Sequence, residues 1–160
     1  MQILLANAKI MFEKADRKPI SVPLFQSVAN DLAKEMAMMN VEELAKQLDC
    51  SSKIAMTNWK RYHDFMAAEK RPAILAYNGQ AYKHLRASSL SEESLEYAQK
   101  HLWITCFLYG LLRPLDGIVP YRMEHCVSLE VTYDKPINQF WKDKLTDVLI
   151  DSVKADDGIL

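Results

Sequence analysis

Apolar positions recur along the chain with two different periods, and these divide it into short strands and amphipathic helices. Ile3-Leu4-Leu5 is a short apolar run that predicts a buried strand, with Lys9 just beyond its end. The polar, proline-bearing segment Glu13–Val22 predicts a loop. From Pro23, the positions Leu24, Phe25, Val28, Ala29, Leu32, Ala33, Met36 and Ala37 share one helical face, and Met38-Met39-Asn40 ends that helix. Asn40 stands three residues before Glu43, the spacing of a capping box, so a second helix runs over Val41–Leu48. Ser51 or Ser52 starts a third, striped by Ala55, Trp59, Tyr62 and Met66.

Pro72 then precedes Ala73-Ile74-Leu75-Ala76-Tyr77, which predicts a second buried strand closed by the turn pair Asn78-Gly79. A helix begins within Ser88–Ser91, where Ser89 and Glu92 have capping-box spacing, and continues through Leu95, Ala98 and Leu102. The β-branched and aromatic run Trp103–Phe107 predicts a third buried strand or an apolar approach to the loop that follows. Cys126–Tyr133 alternates like a half-buried strand, and Asn138–Val153 is an amphipathic helix. After the turn Ala155–Gly158, Ile159-Leu160 reads as a strand cut off after two residues. The fold class expected is α+β: a helix-rich single domain over residues 1–160 with a small central mixed sheet.

The stretch Leu108–Glu124, LYGLLRPLDGIVPYRME, holds two of the four glycines and two of the six prolines. Pro114 biases Arg113 away from the helical region, and Asp116-Gly117 is a turn pair. An apolar segment, a sharp loop and an arm carrying Tyr121-Arg122-x-Glu124 are expected. Loops of this kind present N–H groups, and with Arg113 and Arg122 nearby they suit an anion such as phosphate.

Composition narrows the classes. The chain has 160 residues, 49% of them apolar, and a net charge of −1, so it can bury a core and has no global pull towards nucleic acid or membrane. Charge is uneven, however. Lys53–Arg86 carries seven Lys/Arg against Asp64 and Glu69. Cys50, Cys106 and Cys126 are odd in number and lack CxxC spacing, which points to a reducing cytoplasm. The N-terminal apolar run is too short for a signal peptide or a membrane span. Lys83 and Arg86 lie three apart after the Asn78-Gly79 turn, as a phosphate-facing pair or as an exposed cationic turn. His125-Cys126 has no partner pair at ligand spacing, so no metal site and no cofactor is expected.

Leu108-Tyr-Gly-Leu-Leu-Arg-Pro-Leu-Asp116 followed by Pro120-Tyr-Arg-Met-Glu124 resembles the signature of the YaaA family of bacterial peroxide-stress proteins. Ala8-Lys9, Ala73–Gly79, Tyr82 and Asn138-x-Phe140-Trp141 match in the family's order, although Ala6-Asn7 stand where the family shows Ser-Pro. The resemblance implies a mixed α/β fold, a cytosolic location, survival of hydrogen peroxide by limiting reactive iron, and DNA binding through a helix-hairpin-helix-like element. It also implies that the chain is C-terminally truncated relative to the family, lacking a further strand and a basic region. Self-association through the surface so exposed is then expected.

Three functions follow. In the first the protein binds DNA, double-stranded or junction, through Lys9, Lys83, Arg86, Arg113, Gly117, Tyr121 and Arg122, with no membrane partner. In the second it is an enzyme acting on DNA bases or a small phosphorylated ligand, with Lys9, Asp116 and Glu124 as catalytic candidates and Tyr121 beside them. In the third it handles iron directly. Lys9, at the end of an early strand, is expected near the Arg113–Arg122 loop, because both belong at the carboxyl rim of a sheet.

Overall fold

The structure is a computed structural model that describes residues 1–12 and 16–160, so the expected Glu13–Val22 loop lies partly outside the described residues. It is α+β. The sheet consists of β1 (Ile3–Ala6), β3 (Leu102–Cys106) and β4 (Gly110–Leu112) in the order β1-β3-β4, and a two-residue strand β2 (Arg71–Pro72) pairs separately with β5 (Gly117–Ile118). β1 runs parallel to β3 with Ile3 opposite Leu102, whereas β4 returns antiparallel with Cys106 opposite Gly110. β3 is central because its Leu-Trp-Ile-Thr-Cys sequence is buried on nearly every residue.

β1 is the strand expected, but it is not buried. It is an edge strand whose Ile3 and Leu4 remain 41% and 43% exposed, because only β3 covers it laterally. A three-residue apolar run cannot reveal whether both its faces are covered.

The helices are α1 (Gln26–Met38), α2 (Val41–Gln47), α3 (Ser52–His63), α4 (Ala73–Ala76), α5 (Gln80–Leu85), α6 (Glu92–His101) and α7 (Ile137–Lys154). α1 buries Ala29, Leu32, Ala33 and Met36, the stripe its spacing predicts. Asn40 caps α2 by accepting the N–H groups of Glu42 and Glu43 at 2.9 and 3.0 Å, while the Glu43 carboxylate accepts the Asn40 N–H. Ser51 caps α3, and Ser91 rather than Ser89 caps α6 by accepting the Ser94 N–H at 3.2 Å.

Two expected strands are not strands. Ala73–Tyr77 forms the short helix α4, because Pro72 fixes its entry and the Ala73 and Ile74 N–H groups reach the carbonyls of Asp116 and Pro114. Only Arg71–Pro72, just upstream, pairs as a strand. Cys126–Tyr133 is a loop that tightens into a 3-10 turn at Glu130–Thr132. Its backbone polar groups are satisfied by side chains. The Glu35 carboxylate accepts the N–H groups of Glu130 and Val131, and the fully buried Thr132 hydroxyl serves Leu129 and Lys135. With those groups taken, no sister strand is needed.

One glycine has a fixed purpose. Gly110 has φ +71°, and a Cβ there would meet the Trp141 ring at 2.8 Å. Trp141 packs against this gap and donates its indole N–H to the Phe107 carbonyl at 2.7 Å, which locks α7 onto the β3–β4 turn.

Candidate functional site

Leu108–Glu124 threads the core instead of looping into solvent. Leu108, Leu111, Leu112, Leu115, Ile118 and Val119 are all buried. These residues, all described, form two short strands and turns and no helix, so the helix-hairpin-helix expected here is not formed by this stretch. The turn Arg113–Asp116 is built from inside. The Asp116 carboxylate accepts the Arg113 N–H at 2.8 Å and the Ser21 hydroxyl at 2.6 Å, and Gln99 bonds both the Leu115 N–H and Ser21. Burial raises the Asp116 pKa, and the Ser21 and Arg113 hydrogen bonds pull it part of the way back.

That construction fixes the duties of the expected site residues. The Arg113 guanidinium lies 3.3 Å over the Trp103 ring and donates to the carbonyls of Lys100 and Leu102. Burial depresses its pKa to about 10. It therefore clips the turn onto the start of β3. The Gly117 N–H is taken by the Ser21 carbonyl at 2.9 Å. Tyr121 is buried, its hydroxyl 2.8 Å from that of Tyr77, and burial drives both phenols well above their ordinary pKa. Cys106 lies in the same enclosed cluster, and its thiol is pushed up by burial.

Three of the expected residues do meet. Lys9 Nζ lies 2.8 Å from Glu124 Oε2, and Arg122 Nη2 lies 2.8 Å from Glu124 Oε1. The Glu124 side chain is only 9% exposed, whereas that of Lys9 is 65% exposed. The Arg122 backbone is pinned from α3, whose Tyr62 hydroxyl donates to its carbonyl at 2.5 Å. The Arg122 Nε–H is buried with no acceptor among the described residues. Lys9 thus joins the arm from more than a hundred residues away, because β1 delivers it to the side of the sheet where the arm emerges.

Sequence reasoning missed the third wall. Between Lys9, Arg122 and α3 lies an open cleft of about 250 Å³ lined by Lys53, Thr57, Asn58 and Arg61 of α3. Lys9, Lys53 and Arg122 bring positive charge to it, and among the described residues the carboxylate of Glu124 pairs with Lys9 and Arg122 beside it. The signal was available in the excess of positive charge over Lys53–Arg86 and in the helical spacing of Lys53, Thr57 and Arg61. It was masked because that face also reads as an ordinary solvated one. Lys83 and Arg86 are elsewhere, on the rim of a second cavity between α5 and α6.

The family profile described as peroxide stress protein YaaA matches residues 1–160. The chain belongs to the YaaA family. Its curated YaaA-family relatives are called UPF0246 proteins. That of Bacteroides thetaiotaomicron is 40% identical over 164 residues, covering 100% of this chain and 64% of its own length. A Bacteroides fragilis relative is 42% identical with the same coverage, and one from Legionella pneumophila is 38% identical over 93% of this chain and 61% of its own. The chain therefore spans about 64% of the length of these two Bacteroides relatives.

Proposed function

We propose that this YaaA-family peroxide-stress protein binds DNA in the cytoplasm through the cleft between α3 and the Arg122 arm, and in doing so limits iron-dependent damage to it. The observation that carries the reading is the set of Lys9, Lys53 and Arg122 at one cleft, two of them held by the buried carboxylate of Glu124. Glu124 is paired on both sides, so it orients Lys9 and Arg122 without cancelling the cleft's charge. Phosphate oxygens spaced along a strand suit such a row, since each neutralised phosphate releases condensed counterions. For the helix-hairpin-helix-like element that the family resemblance implies, α2 and α3 offer two helices joined by the short turn Leu48–Ser51, with Lys53 in the first turn of α3.

The same chemistry supports a protective role. Ferrous ions gather on DNA as condensed counterions, and peroxide cleaves the strand where they sit. Lysine and arginine side chains on the phosphates displace those cations, so the hydroxyl radical forms away from the sugar. Direct iron handling has less to draw on. Among the described residues no three His, Cys, Asp or Glu side chains cluster to hold a metal ion.

A second reading, an enzyme acting on a base or a phosphorylated ligand, draws on the Lys9–Glu124 pair, a lysine beside a carboxylate at the edge of a cleft. Asp116 does not join that pair; it is a turn clamp.

The test is fluorescence anisotropy with a labelled duplex and a labelled junction. Lys53→Ala/Arg122→Gln is expected to weaken binding by on the order of tenfold at 0.1 M salt. The charge-matched control Lys142→Ala/Lys144→Ala, on exposed positions of α7, is expected to bind as wild type does. Equal affinities for all three proteins would refute the proposal.

A further inference from the structure

The larger cavity, of about 730 Å³, lies on a different part of the molecule, between the segment around Phe12, the α4–α5 turn and the start of α6. Its size suits a small organic ligand. One wall is apolar, made by Phe12, Leu75, Leu90 and the ring of Tyr82. The phenol of Tyr82 is turned away to the Ala6 carbonyl at 2.9 Å, so the cavity meets its ring and not its hydroxyl. Phe12 is 48% exposed, yet its backbone is pinned, its N–H donating to Ala76 and its carbonyl accepting from Arg71. An aromatic ring held half-exposed at a cavity wall, with its backbone fixed, is a surface for stacking.

The lining is also cationic. Lys83 and Arg86 line it, and neither has a carboxylate partner among the described residues. Arg86 ends α5 in the left-handed region at φ +47°, a conformation that non-glycine residues rarely adopt. Its place at that bend turns the chain so that Ser88 and Ser89 follow it onto the cavity wall. Arg17 and Glu92, also on the wall, neutralise each other in a two-pronged pair at 2.6 and 2.7 Å. Asp16 is the remaining acid among the described lining residues. Asn78, also on the lining, has its backbone N–H bonded to the Ile10 carbonyl, and its side-chain amide makes no hydrogen bond among the described residues.

From this juxtaposition of an aromatic ring, an amide and two cations that have no side-chain partner among the described residues, we infer that the cavity is a binding site for a nucleoside 5′-monophosphate. The base stacks at Phe12, the Asn78 amide reads its polar edge with one donor and one acceptor, and Lys83 and Arg86 hold the phosphate. The ligand is either a free mononucleotide or one nucleotide unit of a single strand.

Calorimetric titration of the full chain with adenosine 5′-monophosphate, adenosine and inorganic phosphate tests the inference. The monophosphate is expected to bind at least tenfold more tightly than either fragment. Lys83→Ala/Arg86→Gln, at exposed positions, is expected to leave the melting temperature unchanged and to lower its affinity at least tenfold. Phe12→Ala is expected to weaken the monophosphate and adenosine alike. Lys9→Ala/Lys53→Ala, in the other cleft, is expected to leave nucleotide binding untouched, so this inference and the DNA reading fail separately. Competition by a short single strand that is lost with Lys83 and Arg86 assigns the ligand to a strand, and its absence assigns it to the free nucleotide. A monophosphate that binds no better than inorganic phosphate, or that binds the Lys83/Arg86 variant as well as wild type, would overturn the inference.

Discussion

Replacing Asp116 separates a structural carboxylate from a catalytic one. In Asp116→Ala the part-buried Arg113 N–H loses its acceptor, as does the Ser21 hydroxyl, which keeps only the donation from Gln99. A stranded buried N–H costs about 1–3 kcal/mol, and a lost hydrogen bond to a charged group adds about 1.5–3. Relief from burying the carboxylate offsets part of this, since burial is the larger influence on its pKa. The net destabilisation is about 2–4 kcal/mol. Asp116→Asn should cost under about 1 kcal/mol, because its oxygen still accepts from Arg113 and its amide donates to Ser21. Urea unfolding followed by tryptophan fluorescence reads both, since Trp103 lies directly beneath Arg113. The pH dependence has a definite sign. The folded-state pKa lies above the ordinary carboxylate value, so the folded protein binds this proton more tightly than the unfolded chain does. This group therefore makes stability fall as pH rises from about 4 through the raised value, with no further change above it. Asp116→Asn should remove that component. If Asp116→Ala unfolds at the same urea concentration as wild type, the clamp does not hold the turn and the reasoning fails.

Gly110→Ala forces a Cβ against Trp141 at a left-handed position and should cost about 2–4 kcal/mol, read as a lowered thermal midpoint; a wild-type midpoint would mean that α7 is not locked there. On β1, no strand among the described residues pairs with the edge away from β3, and Ile3 and Leu4 are exposed beside it. We propose that this edge supports self-association, so sedimentation should show a dimer at high concentration that Leu4→Lys abolishes. A wild-type chain that stays monomeric would count against it.

Long periodic segments were legible in the sequence because their burial follows their period. The α1 stripe, the Asn40 cap and the β3 core all lie where spacing puts them. Short apolar runs were not. Ala73–Tyr77 and Ile3–Leu5 look alike as sequence, yet one is a helix turn held by the Asp116 and Pro114 carbonyls and the other an exposed edge strand. The Cys126–Tyr133 alternation misled because Glu35 and Thr132 supply hydrogen bonds from positions that no local pattern registers.

The candidate site shows the same division. Motif residues were visible, but their duties were not. Arg113 and Arg122 have similar neighbours in sequence, and only the fold puts one on Trp103 and the other at the cleft with Lys9. The α3 wall was hidden because a helix face bearing lysine and arginine looks the same whether it meets solvent or a phosphate backbone.

The salt dependence of DNA affinity tests the central claim most directly. Binding of one duplex is measured from 50 to 300 mM salt for wild type and for Lys9→Ala/Lys53→Ala. If those lysines contact phosphates, the logarithm of the association constant should fall linearly with that of salt, and the variant's slope should be shallower by about 2, roughly 0.9 for each lost contact. An unchanged slope, or wild-type binding that ignores salt, would contradict the cleft as the DNA interface.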